Sequence, residues 1–324
     1  MCNDNEGKTI SASSAGNYLS AARKLMEDSG IDVSFMKDNP TLKSVKKGLK
    51  NEWVAIPGHS KADTSTYPVT IDMIEAAEKE LLDIEHCLED QGVYTVSVIS
   101  YDRFCRTSEI VYCDVTSHHL RAEAVQFVVM PVGEVFTGTL PKKLVYVSRC
   151  DVWQIPAERI AGDNMFIVKS KNDKYGRGQS NPHTRVLNPP STSVYERTML
   201  LYKWAIRARP LRGEPFFSSS FGAKIVIGRN HLTKWYNGIA DLYGLDRSRV
   251  NTHSTRYAGT STAKTAGFDD SVIKEMGRWD SLAFLRYIRL SIGTHLKVSE
   301  ALCNRNTFTS SDVLHLSSRA ASSL

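Results

Sequence analysis

The sequence has no apolar run approaching the roughly 18 residues a membrane-spanning helix requires, so it predicts no transmembrane segment. Its start lacks the charged-then-apolar pattern of a secretory leader. Its six cysteines, Cys2, Cys87, Cys105, Cys113, Cys150 and Cys303, include no Cys-x-x-Cys pair. They read as reduced thiols of an intracellular protein, with no zinc site. No Gly-x-x-x-x-Gly-Lys-Ser/Thr loop is found, which argues against a P-loop nucleotide site, and no internal repeat is found either. What remains is ordinary for a globular chain of 324 residues, with 41% hydrophobic and 23% charged residues. The net charge of +6 suits an anionic partner without specifying one.

The chain divides by composition. A polar stretch containing Pro57, Gly58 and Pro68 reads as a linker. The expected plan is a helical piece over 1–56, a linker over 57–69, a larger domain over 70–308 and a serine-rich flexible tail over 309–324. Two helices are expected before the linker. The first spans 15–29, with Leu19, Ala22, Leu25 and Met26 at helical spacing and Gly30 as its stop. The second spans 41–53 and aligns Lys43, Lys46, Lys47 and Lys50 in one basic stripe. Such a stripe is a solvated face in most proteins and a phosphate contact in a DNA-binding one.

Beyond the linker, helices are expected over 71–88 behind Thr70, over 96–103, over 195–207, and over 232–243 with Gly244 as stop. A helix begun by Thr252 carries His253 and Arg256 and closes at Gly267. Asp269 or Asp270 caps a short helix, and Ser281 caps the one bearing Tyr287. The runs 125–130 and 144–147 are β-like. A strand over 165–171, a polar turn over 172–178 and a return strand over 183–187 form a hairpin. The fold class is therefore mostly α with a small β-sheet.

Functional residue types concentrate near the C-terminus. His253-Ser254-Thr255-Arg256 is followed by Gly277-Arg278-Trp279 and Leu285-Arg286-Tyr287-Ile288-Arg289. His and Arg three apart on a helix share a face and can converge on one phosphate. Trp279 offers an indole N–H donor, and Tyr287 a phenol that becomes a nucleophile on losing its proton. Upstream lies Arg106-Thr107-Ser108-Glu109-Ile110. Each element has an ordinary reading: His-x-x-Arg arises by chance, a helix tryptophan is usually core, and a hairpin lysine is usually solvated.

Taken in order and spacing, these residues resemble the tyrosine recombinases, the phage-integrase family. The Gly-Arg-Trp-Asp-Ser and Phe-Leu-Arg-Tyr-Ile-Arg strings are most similar to recombinases of eukaryotic DIRS-like and Crypton-like mobile elements. The resemblance covers about 70–295 well. The N-terminal piece resembles, loosely, the second half of the helical domain with which these enzymes clasp DNA, short by one or two helices. The resemblance implies Arg106, Lys171, His253, Arg256, Trp279 and Tyr287 as catalytic residues. Ser108 and Glu109 would support them, with Lys43, Lys46, Lys47 and Lys50 on DNA. The lysine donating to the leaving 5′ oxygen is Lys171, with Lys169 and Lys174 as alternatives. Two departures stand out: Trp279 replaces a common histidine, and 179–190 lengthens the lysine hairpin.

This chemistry needs neither metal nor ATP. Two guanidiniums bind phosphate oxygens bidentately where many nucleases use a divalent ion. A phenol ordinarily titrates near about 10, and adjacent positive charge favours its phenolate. The phosphotyrosine link conserves the bond, so DNA is resealed without an energy source. The implied partner is double-stranded DNA, with self-association into a tetrameric synapse through a helix over 294–303, no membrane, and a nuclear site in a eukaryote. Alternatives are a DNA-binding protein of this fold that has lost cleavage and a type IB topoisomerase-like nicking and closing enzyme.

Overall fold

The computed structural model describes residues 12–34, 39, 44, 66–113, 119–148, 151–168, 173, 177–187, 196–220 and 224–288. The chain separates into two units, Met1–Ser65 and Thr66–Leu324. In the first unit, helix α1 spans Ala12–Asp28, three residues earlier than the periodicity predicts. It ends in a Schellman turn: Ile31 N–H donates to Met26 O at 2.9 Å, and Gly30 takes a left-handed φ of 77°. The expected helix over 41–53 and its lysine stripe lie outside the described residues, as do the 309–324 tail and the expected helix over 294–303.

The second unit begins with α2 (Ile71–Leu81) and α3 (Leu88–Asp102). The sequence reading carries the first helix on to 88 and begins the second only at 96. The chain instead turns at Asp83, whose carboxylate accepts the His86 N–H at 3.2 Å, and Leu82 is extended. Glu89 and Asp90 then favour the N-terminus of a new helix. Helix α3 is buried on every side from Gln91 to Tyr101. That is why its apolar pattern is indistinct: it is the central helix, not an amphipathic one. Its buried hydroxyls bond within the helix, Thr95 to Gln91 O at 2.7 Å and Ser97 to Val93 O at 3.0 Å.

After the short α4 (Thr107–Ile110) come β1 (Val125–Val129), β2 (Val145–Ser148), β3 (Ile160–Ile167) and β4 (Gln179–Thr184). They form one antiparallel sheet in the order β2-β1-β3-β4. The expected hairpin exists, but its strands lie earlier than 165–171 and 183–187. Pro182 makes 179–184 look unlike a strand, yet β4 is an edge, where a residue without N–H is tolerated.

The remaining α-helices and strands among the described residues are α5 (Arg197–Ala208), the two-residue pair β5 (Ser218–Ser219) and β6 (Ile225–Val226), α6 (Arg229–Leu242), α7 (Ser254–Thr265) and α8 (Asp270–Met276), which a 3₁₀ turn, Leu282–Tyr287, follows. The main core packs α3 against α5, α6 and α7 through Tyr94, Ile99, Leu201, Trp204, Tyr236 and Ala258. Trp204 donates its indole N–H to Phe216 O at 2.9 Å. A separate small cluster of Phe104, Ile273, Trp279 and Phe284 lies beneath the C-terminal turn. Among the described residues, no helix is long and apolar enough to cross a membrane.

The end of α3 is bolted to the sheet. Arg103 forms a fully buried ion pair with Asp163 of β3 and donates to Asn181 O of β4 at 2.6 Å. Thr198 of α5 donates to the other Asp163 oxygen at 2.7 Å. The neighbouring Asp102 faces Arg197 at 2.6 Å and His183 at 3.2 Å. Four elements thus meet at two consecutive residues, the last of α3 and its cap. Sequence reading overlooked this joint, because Arg103 and Asp163 sit in no recognisable spacing.

Candidate active site

Arg106 and Glu109 come from one local device. Arg106 is the extended residue before α4, and its backbone N–H donates to Glu109 Oε2 at 2.8 Å, which is half of a capping box. The same arginine donates from Nη1 to Glu109 Oε1 at 2.7 Å. Glu109 is buried, whereas Ser108 is exposed and takes no part in this cluster. The expected support from Ser108 is corrected on that ground: a residue next to Glu109 in a helix points the other way.

Two further guanidiniums reach Glu109 from the C-terminal half. Arg278 donates from Nη2 to Oε2 at 2.9 Å, and Arg256 Nη1 stands 3.9 Å from the same oxygen. Burial alone would raise the Glu109 carboxyl, but Arg278, Arg256 and Arg106 together hold it below the usual carboxylate range. Arg278 had no role in the sequence reading. A signal for it existed: an arginine wedged between Gly277 and Trp279 in an apolar turn needs a carboxylate, and the Arg106 box supplies one.

Arg256 lies one turn into α7 and has no exposed surface. Its Nη2 donates to Gly277 O at 2.7 Å. Its guanidinium carbon lies 4.2 Å from the Trp279 ring centre and 5.2 Å from that of Tyr287. Among the described residues, Nε and Nη1 have no hydrogen-bond partner. Burial pushes this guanidinium down to about 10, which leaves it charged at neutral pH. The close stacking explains Gly277, since a Cβ there would fall inside the Trp279 indole.

Trp279 therefore offers Arg256 its ring face. Tyr287 ends the 3₁₀ turn, half-buried. Its ring stacks on Tyr257 at 4.7 Å and Trp279 at 5.3 Å, and its carbonyl accepts from Ser261 Oγ at 3.0 Å. His253 is not on the helix face the His-x-x-Arg spacing suggests. It is the cap residue of α7, exposed, with its N–H bonded to Asn251 Oδ1 at 2.9 Å. Desolvation and then the charges of Arg256, Arg106 and Arg229 hold its imidazole below the usual histidine range, against the pull of Glu109.

The structure thus brings Arg106, Glu109, His253, Arg256, Trp279 and Tyr287 into one neighbourhood and adds Arg278. Lys171, its alternatives Lys169 and Lys174, and the stripe of Lys43, Lys46, Lys47 and Lys50 lie outside the described residues. Two non-glycine residues here have left-handed backbones, Phe104 (φ 47°) and Arg278 (φ 56°), at a cost of about 1–3 kcal/mol each. They touch: Arg278 Nη2 lies 3.4 Å from Phe104 O and 3.4 Å from Cys105 Sγ. Burial pushes the Cys105 thiol up, so it is an inert neighbour.

No protein-family model matches this sequence, and no curated protein matches it. Among solved structures, the chain is similar to the XerH site-specific recombinase bound to difH substrate, at 15% identity and a TM-score of 0.43, over 74% of this chain and 53% of that one. The chain spans about half the length of that recombinase. It is also similar to the Tn1549 transposon integrase in complex with transposon right-end DNA, at 11% identity and a TM-score of 0.39, over 93% of this chain and 89% of that one.

Proposed function

We propose that the chain is a DNA recombinase that cleaves and rejoins strands through a tyrosine. The observation that carries this reading is the convergence of Arg106 and Arg256 on Glu109, with the Tyr287 ring 5.2 Å from Arg256 and His253 at the edge of the group. Three guanidiniums against one carboxylate leave two positive charges. That matches the charge that builds on a phosphodiester under attack by an oxyanion, and fixed cations aimed at such charge supply most of the rate.

In the proposed step the Tyr287 oxygen bonds to phosphorus and the bond from phosphorus to the 5′ oxygen breaks. The phenolic proton leaves to a base, for which His253 is poised because its neutral form is favoured. The departing 5′ oxygen takes a proton from a lysine of the β3–β4 hairpin, Lys171 by preference. Resealing is the reverse, with the 5′ hydroxyl of the same or another strand as nucleophile. Arg256 is roofed by Trp279 and Tyr287, so a phosphate reaches it only after the Tyr287 turn shifts. Arg106 and His253 are the open parts of the site.

The test is incubation with nicked suicide duplexes drawn from the DNA flanking the coding sequence, scored as a protein–DNA adduct on a denaturing gel. An adduct that survives denaturation and disappears in Tyr287→Phe supports the reading. Its absence with every flanking sequence, under conditions where the protein binds those duplexes, favours a DNA-binding protein that has lost cleavage.

A further inference from the structure

Arg278 is the closest guanidinium to Glu109 from outside its own helix, yet it occupies a different place from the other two. Its side chain is 3% exposed, against 13% for Arg106 and 0% for Arg256, so its bonding and not its burial sets it apart from Arg256. Its two Nη groups are turned toward protein groups: Glu109 Oε2 at 2.9 Å, Met276 O at 2.9 Å, Phe104 O at 3.4 Å and Cys105 Sγ at 3.4 Å. Such a side chain has little to give a substrate. Glu109 without it would have only Arg106 and Arg256 as counter-charges, the two groups a phosphate needs.

From this geometry we infer that Arg278 is a positioning residue. It neutralises Glu109 so that Arg106 and Arg256 are oriented by that carboxylate without being consumed by it. The inference rests on the recombinase reading for its consequence in cleavage, not for the pairing itself. The distances carry the distinction. Arg278 holds Oε2 at hydrogen-bond length, and Arg256 remains 3.9 Å away from the same atom. Remove Arg278, and the strongest free attraction in the cluster is Arg256 closing on Glu109. The strained backbones of Phe104 and Arg278 agree with this, because local strain persists where the surroundings enforce a particular placement. An arginine suits the task better than a lysine, since one planar fork must reach a carboxylate, a thiol and two carbonyls.

The test compares four full-length proteins: wild type, Arg278→Met, Glu109→Gln and the double variant, each checked for folding by circular dichroism. In cleavage of suicide duplexes, Arg278→Met should lose on the order of 10²-fold in rate. On the Glu109→Gln background the same change should cost less than about tenfold, because no carboxylate is left to capture Arg256. Equal losses on both backgrounds would overturn the inference and give Arg278 an independent role. Arg278→Lys, which keeps the charge, should fall between wild type and Arg278→Met, and serves if the methionine variant does not fold. A second readout does not depend on cleavage: the Glu109 carboxyl, followed by carbon NMR during a pH titration, should titrate higher in Arg278→Met than in wild type, with Arg278→Lys between them. No change there removes the counter-charge role. If wild type forms no adduct while Glu109 still titrates as expected, the recombinase reading fails and the pairing stands.

Discussion

Arg256 Nη1 stands 3.9 Å from Glu109 Oε2, close enough for attraction between charges and too far for a hydrogen bond. Arg106, by contrast, is bonded to Glu109 through both backbone and side chain at 2.8 and 2.7 Å. One carboxylate therefore fixes Arg106 and Arg278 and leaves Arg256 with unused donors among the described residues. That asymmetry separates an anion-ready cluster from a closed ion-pair network, and it is the basis of the first expectation.

Arg256→Lys should fold and should lose adduct formation by roughly 10²-fold or more, because lysine keeps the charge but not the fork or the stacking on Trp279. The measurement is single-turnover adduct formation. A loss under about threefold would mean that charge alone suffices and that the guanidinium shape is irrelevant.

Tyr287→Phe removes one oxygen and keeps the ring that stacks on Tyr257 and Trp279. Thermal stability and duplex binding should stay close to wild type, and the covalent adduct should vanish. An adduct in the phenylalanine variant would redirect attention to Tyr257, the adjacent phenol.

Gly259→Ala should destabilise the domain by about 1–3 kcal/mol in denaturant unfolding. A methyl there would overlap the Tyr101 carbonyl and press on the Phe104 ring at 3.0 Å, levering α7 away from α3. Since α7 carries Arg256, adduct formation should fall further than stability alone accounts for. Unchanged stability would mean the two helices have slack where the structure shows none.

The pH expectation follows from two depressed histidines. His253 is lowered by desolvation and by Arg256, Arg106 and Arg229, and His183 by desolvation and Arg103. The folded protein resists a proton that the unfolded chain accepts near about pH 6.5. Their contribution to stability is therefore complete above that pH and is lost as pH falls through the folded values. Urea unfolding followed from about pH 7.5 down to about pH 5 should show this decline, and His253→Gln should remove part of it. A slope identical in the variant would show that His253 does not titrate in this environment.

Lys171→Ala should slow cleavage of an ordinary duplex and recover on one with a 5′-bridging sulfur, which needs little protonation to depart. Recovery seen with Lys169→Ala or Lys174→Ala, and not with Lys171→Ala, would move the role to that lysine.

Much of the candidate site was legible because its residues are ordered along the chain in short strings. Arg106 and Glu109 are three apart on one turn, and His253 and Arg256 bracket one helix start. Such local spacings survive in sequence. Arg278 was harder to place for the opposite reason: its surroundings call for a carboxylate, but its partner Glu109 is far away in the chain, and a pairing between distant elements leaves no periodic trace. The same holds for Arg103 and Asp163. The fold class was readable from β-rich runs and helical stops, such as Gly244 and Gly267, both left-handed as those stops require. The boundary between α2 and α3 was not, because a helix buried on all sides carries no polar face to mark its phase.

Under the proposed recombinase reading, the roof that Trp279 and Tyr287 form over Arg256 bears on how long a DNA must be to react. Lifting that roof gives up stacking and exposes a guanidinium, and a lone phosphate offers too little in exchange. The difference has to come from contacts with the duplex well away from the scissile bond, spent on rearranging the site instead of on tighter association. Shortening the duplex should then depress the rate at saturating DNA, not merely the affinity. A fragment that holds the cleavage point but few flanking base pairs would bind and remain uncut.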